Sequence, residues 1–98
     1  MPRIYKYQGH PFALWLRKLM IRHKLRAEDV ASFSGLNIGT INDWRRGGSM
    51  PRVVGFWALC CGLSLLTNRD HKAIALEALP LFDGDLPAQT WKLSIENP

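Results

Sequence analysis

Residues 34–48 read SGLNIGTINDWRRGG, and they decide how the rest of the chain is read. Gly35 breaks whatever precedes it, and Asn37 has the side chain to cap a helix that starts immediately after it. Within the short segment that follows, Ile41 and Trp44 lie three residues apart and share one face. Ile38, Gly39, Asn42 and Asp43 point elsewhere. Arg45 and Arg46 then precede Gly47-Gly48, a stop. The pattern predicts a short helix anchored by two apolar side chains and otherwise presented outward.

The flanking sequence supplies a frame for that helix. Residues 27–34, AEDVASFS, place Glu28 and Asp29 in a first turn, where carboxylates meet the positive end of the helix dipole. Val30, Ala31 and Phe33 fall on or near one face, and Ala31 is small enough for a close crossing before Gly35. Upstream, residues 12, 15, 16, 19 and 20 form an apolar stripe, with Arg17, Lys18 and Arg22 behind it, predicting a helix over Phe12 to His23. Downstream, Pro51 opens a run with apolar residues at 53, 56, 57, 60 and 63. Val54, Leu59 and Cys61 coat this helix nearly all round and mark it as the centre of the core.

A fifth helix is expected from Arg69 to Leu79, ended by Pro80. The first eleven residues read as an arm or short edge strand around Ile4, Tyr5 and Tyr7. In the tail, a turn at Asp83-Gly84 precedes alternation at Trp91, Leu93 and Ile95, which reads as one short strand. The predicted fold is therefore mainly all-α: a compact bundle of about five short helices with a C-terminal extension. Residues 1–11 form the arm, 12–66 the central domain, and 67–98 the C-terminal helix and tail. A chain of 98 residues accommodates one core.

Charge is unevenly spread. Residues 17–52 hold eight Lys and Arg against three Asp and Glu, whereas residues 53–98 hold three against five. The basic segment coincides with the outward-facing short helix, as in a module that binds a polyanion; the alternative reading is a solvated basic face. The adjacent Cys60 and Cys61 read as two buried small hydrophobes in a reducing compartment rather than a strained bridge. The 14-residue apolar run Val53 to Leu66 is shorter than the roughly 20 residues that cross a bilayer. No secretory pattern opens the sequence, so a soluble, cytoplasmic protein without a membrane partner is expected. Trp15, Trp44, Trp57 and Trp91 are expected in the core. His10, His23 and His71 have no ligand spacing, so neither a metal nor a cofactor is expected.

Two short helices joined by a glycine-containing turn, the second held outward, make up a helix-turn-helix. Residues 25–51, LRAEDVASFSGLNIGTINDWRRGGSMP, resemble the lambda-repressor-like (Cro type) helix-turn-helix DNA-binding family. The likeness rests on Leu25, on the Ala31, Gly35 and Ile41 framework, on Trp44 and Arg46-Gly47, and on Pro51 before the next helix. With the neighbouring helices it covers residues 12–65.

The resemblance implies base-reading positions at Asn37, Ile38, Gly39, Thr40, Asn42 and Asp43. Asn42 suits adenine N6 and N7, Ile38 a thymine methyl, and Asp43 a cytosine N4 donor. Arg22, Arg26, Arg45, Arg46, Ser49 and Arg52 are the expected phosphate contacts. Two features depart from the family. Ala27 stands where most relatives open helix 2 with Gln, and Ile38-Gly39 replaces a frequent polar pair, which shifts readout from hydrogen bonds toward DNA shape.

The function implied is a transcriptional regulator, similar to small phage or mobile-element repressors, that binds a short operator in double-stranded DNA as a homodimer. The alternative is an antitoxin-like interaction protein whose residues 69–95 hold a protein partner. An enzyme is not expected, because no Ser/His/Asp, Cys/His or paired-carboxylate arrangement is evident. The dimer contact is expected within residues 69–95, from apolar Ile74, Leu76, Leu79, Leu81, Phe82, Trp91, Leu93 and Ile95. The alternative for the tail is folding back on the N-terminal arm.

Overall fold

Local chain chemistry sets the helix ends. The computed structural model describes residues 9–82. They form α1 (Pro11–Arg22), α2 (Ala27–Ser34), α3 (Ile38–Arg46), α4 (Val53–Thr67), α5 (His71–Ala78) and a closing 3-10 turn (Leu79–Phe82). No strand occurs among the described residues, and the strands expected in the arm and around Trp91, Leu93 and Ile95 lie outside them. His10 caps α1: its Nδ1 accepts from the Phe12 N–H at 3.1 Å, and Pro11 occupies the first helical position. Asn37 caps α3, its Oδ1 accepting from the Gly39 N–H at 2.7 Å.

Helices α1 to α4 each end at a residue in the left-handed region, whereas α5 runs on through Leu79 into the 3-10 turn. After α3, Gly47 takes φ +84° and donates to the Trp44 carbonyl, while the Gly48 N–H reaches the Asp43 carbonyl at 2.8 Å. This pair of bonds satisfies carbonyls that the helix end would leave open. The same pattern closes α1, with Lys24 at φ +54° and the Leu25 N–H on the Met20 carbonyl at 2.8 Å. Gly35, at φ +74°, ends α2 and turns the chain toward α3.

One hydrophobic core joins all five helices. Phe12, Leu16 and Met20 of α1, Val30 of α2, Ile41 and Trp44 of α3, and Phe56, Leu59 and Leu63 of α4 meet in it. It continues past residue 66 through Ile74, Ala78, Leu79 and Phe82. The Phe82 ring lies 4.9 Å from Phe12 and meets Phe56 edge-on at 5.8 Å, favourable separations for aromatic pairs. The closest crossing is between α2 and α4. A Cβ built on Gly62 would lie 2.8 Å from the backbone nitrogen of Ser34, so only glycine fits there.

Several expectations are corrected by this packing. Ile74, Leu79 and Phe82 are not surplus surface: they are buried, because α5 and the 3-10 turn close the core over α1 and α4. Phe33 does not share the buried side of α2 and is half exposed, since Val30 and Ala31 occupy the side that meets the core. The coat of α4 is not buried all round: Val54 is 83% exposed and Leu65 68% exposed. Of the two free thiols, Cys60 is buried and Cys61 exposed. Burial, with Cys61 beside it, pushes the Cys60 thiol up to about 12. Trp44 is buried as expected, whereas Trp15 and Trp57 sit half-buried at the edge and Trp91 lies outside the described residues.

Outside the core, one polar clasp ties α5 down. Glu77 accepts from Trp15 Nε1 at 2.9 Å and from Arg69 Nη2 at 2.8 Å. It thereby links α1, the α4–α5 connection and α5. These bonds, the Trp15 one first, hold the Glu77 carboxyl below its usual range.

Candidate nucleic-acid interface

The presentation of α3 follows from its two anchors. Ile41 is fully buried and Trp44 nearly so. At 100° per residue, the face opposite them carries Gly39, Asn42, Asp43 and Arg46, with Ile38 and Arg45 on one flank and Thr40 on the other. Asn37, Ile38, Gly39 and Arg46 are exposed, and Thr40, Asn42, Asp43 and Arg45 are half-buried. The structure therefore brings all six expected base-reading positions together on one short helix and its cap. Ile38 shows 46% of its surface, enough for an apolar contact from the first turn.

Asn42 is oriented by its neighbour. Arg45 Nε donates to Asn42 Oδ1 at 3.0 Å. A carbonyl oxygen has two lone pairs, so one remains beside the two amide hydrogens, the set that an adenine edge requires. Gly39 has a local role as well. A Cβ there would lie 3.0 Å from Asn37 Oδ1, so glycine leaves room for the cap.

The expected phosphate contacts divide into two groups. Arg45 and Arg46 end α3, where positive charge also suits the helix dipole. Arg52 is the exposed N-cap residue of α4, and half-buried Ser49 lies in the connection between the two helices. Arg26 and Arg22 are placed differently. Arg26 is committed locally, at 3.1 Å from both Asp29 and Glu28, and the Asp29 hydrogen bond raises its pKa. Arg22 stands on the side of α1 that carries Trp15, seven residues back, and its charge acts on Glu77.

The chain matches no family model, no curated protein and no solved structure.

Sequence reasoning missed two supports of the site. Gly55 of α4 lies against the Trp44 ring, where a Cβ would approach to 3.0 Å, and Gly62 lets α4 touch the end of α2. Both glycines sit inside an apolar helix, where sequence alone gives no sign of what crosses them. Arg46, expected as a phosphate contact at the end of α3, lies with Gly39 and Asn42 on the outward face.

Proposed function

We propose that this chain is a sequence-specific double-stranded DNA-binding protein, a small transcriptional regulator of the phage or mobile-element repressor type that binds a short operator as a dimer. In this reading α3 enters the major groove. The observation that carries it is the α2–Gly35–α3 unit: Ile41 and Trp44 hold α3 from behind, while its capped first turn, Asn42 and Arg46 face outward and Arg45 lies on the flank. Asn37, Ile38, Gly39, Asn42 and Asp43 meet base edges, with Thr40 beside them. Arg45, Arg46, Ser49 and Arg52 hold phosphates, and Arg26 reaches one only by releasing its carboxylates.

Selection of bound fragments from random duplex DNA tests the reading directly. The expected result is a consensus with two half-sites about one helical turn apart. A salt titration on the selected duplex should give a log-log slope of roughly −4 to −8 for a dimer, at about 0.9 per phosphate contact. Arg46→Ala should weaken binding to all sequences alike, and Asn42→Ala should lose about 1–3 kcal/mol of discrimination at one position. No enriched sequence together with a slope near zero would refute DNA binding.

A further inference from the structure

The outer side of α4 carries a second pattern that the reading helix does not use. Val54, Ala58, Cys61 and Leu65 follow one another at intervals of four, three and four residues and fall within an arc of about 60°. This arc is opposite Phe56, Cys60 and Leu63, which fill the core. Val54 and Leu65 are among the most exposed large hydrophobic side chains, Cys61 is exposed and Ala58 half-buried. Alternation of three and four is the spacing at which one helix packs its side chains into another. No charged residue occurs from Val53 to Thr67.

We propose that this stripe is a self-association surface on which a second copy of the chain lays its own α4, antiparallel. A two-fold contact sets each patch against itself, so it favours a surface without like charges, and α4 is neutral in a chain of net charge +5. The ends of α4 fix the direction. Its N-terminal end carries Arg52 and packs through Gly55 on Trp44, next to Arg45 and Arg46. Its C-terminal end leads to exposed Asp70, with His71 Nδ1 at 3.6 Å and exposed Lys72 two residues on, while Arg69 is paired with Glu77.

Parallel helices would crowd the arginines of both copies at one end. Antiparallel helices bring the basic end of each toward Asp70 of the other and oppose the helix dipoles favourably. In that register Val54 of each copy meets Leu65 of the other, and the small Ala58 and Cys61 meet at the centre, allowing close approach. One basic reading unit then stands at each end of the pair. The stripe is about 16 Å long, and its area falls below the roughly 800 Å² per partner of a standard interface. The contact is therefore weak in solution and is reinforced when two copies share one duplex.

The inference draws on the DNA-binding reading only for the use of a dimer, and its test contains no DNA, so the two fail separately. Sedimentation equilibrium of the full chain up to about millimolar concentration should show a reversible monomer–dimer equilibrium. Leu65→Glu should weaken it by at least about a hundredfold, since the two-fold loses that contact twice. Its thermal melt should stay unchanged because Leu65 is outside the core. The double variant Val54→Lys, Leu65→Glu should recover association, because each new lysine meets the partner's new glutamate. A wild-type chain that stays monomeric throughout, or a dimer indifferent to Leu65→Glu, overturns the surface. A double variant no stronger than the single one overturns the antiparallel arrangement.

Discussion

Replacing Gly62 by alanine tests the contact that sets α2 against α4. In an exposed helix interior this change would stabilise by about 1 kcal/mol, because alanine is the better helix former. Here the added Cβ would lie 2.8 Å from the Ser34 nitrogen and Cβ and 2.9 Å from its Cα. Carbon contacts are comfortable only near 3.5–4.0 Å, so α2 would have to retreat from α4 by several tenths of an ångström or more. The obstacle is backbone, which cannot swing aside as a side-chain tip can.

Overpacking costs about 1–3 kcal/mol, and a backbone clash belongs at the upper end, leaving a net loss of about 1–2 kcal/mol after the helix gain. For a domain of this size that lowers Tm by roughly 4–16 °C. Thermal unfolding by circular dichroism and urea unfolding by tryptophan fluorescence both measure it. Gly55→Ala is the internal control: its Cβ would meet only the edge of the Trp44 ring, at 3.0 and 3.2 Å, and should cost less. A Gly62→Ala variant that melts at or above the wild-type temperature would refute the close crossing, and with it the placement of the α2–α3 unit.

Asn37→Ala removes the α3 cap and should cost about 1 kcal/mol in urea unfolding, while Asn37→Ser, which keeps an acceptor, should restore most of it. Phe82→Ala should cost about 3–5 kcal/mol, because the ring is buried between Phe12 and Phe56. For the same reason, truncation after Asn68 should yield an unfolded chain by circular dichroism rather than a folded monomer. Glu77 has its folded pKa depressed by Trp15 and Arg69, so it binds a proton more readily when unfolded. Its contribution is present above the ordinary glutamate pKa and is lost as pH falls through the lowered folded value. Tm against pH should therefore show a shallower acid-side fall in Glu77→Gln than in wild type.

Features with local causes could be read directly from the order of residues. Gly35, Asn37 and Gly47 punctuate the chain through conformations and bonds that involve residues within a few positions of themselves, so α2, the turn and α3 were legible at nearly their observed bounds. The three-residue spacing of Ile41 and Trp44 likewise predicts a buried side of α3, because the other faces carry polar groups or glycine. Where a helix has no polar side to orient it, its buried face depends on the elements packed around it.

In α4, apolar residues lie all round, and only the positions of α2, α3 and α5 select Phe56, Leu59, Cys60 and Leu63 for the core and leave Val54, Cys61 and Leu65 outside. Phe33 lost its place to Val30 and Ala31 because α2 crosses α4 near Ser34, a contact that Gly62 permits from 28 residues away. Ile74, Leu79 and Phe82 read as spare apolar surface in a chain viewed linearly. They became core because α5 and its closing turn fold back over α1 and α4, a consequence of long-range packing that the spacing of apolar residues does not encode.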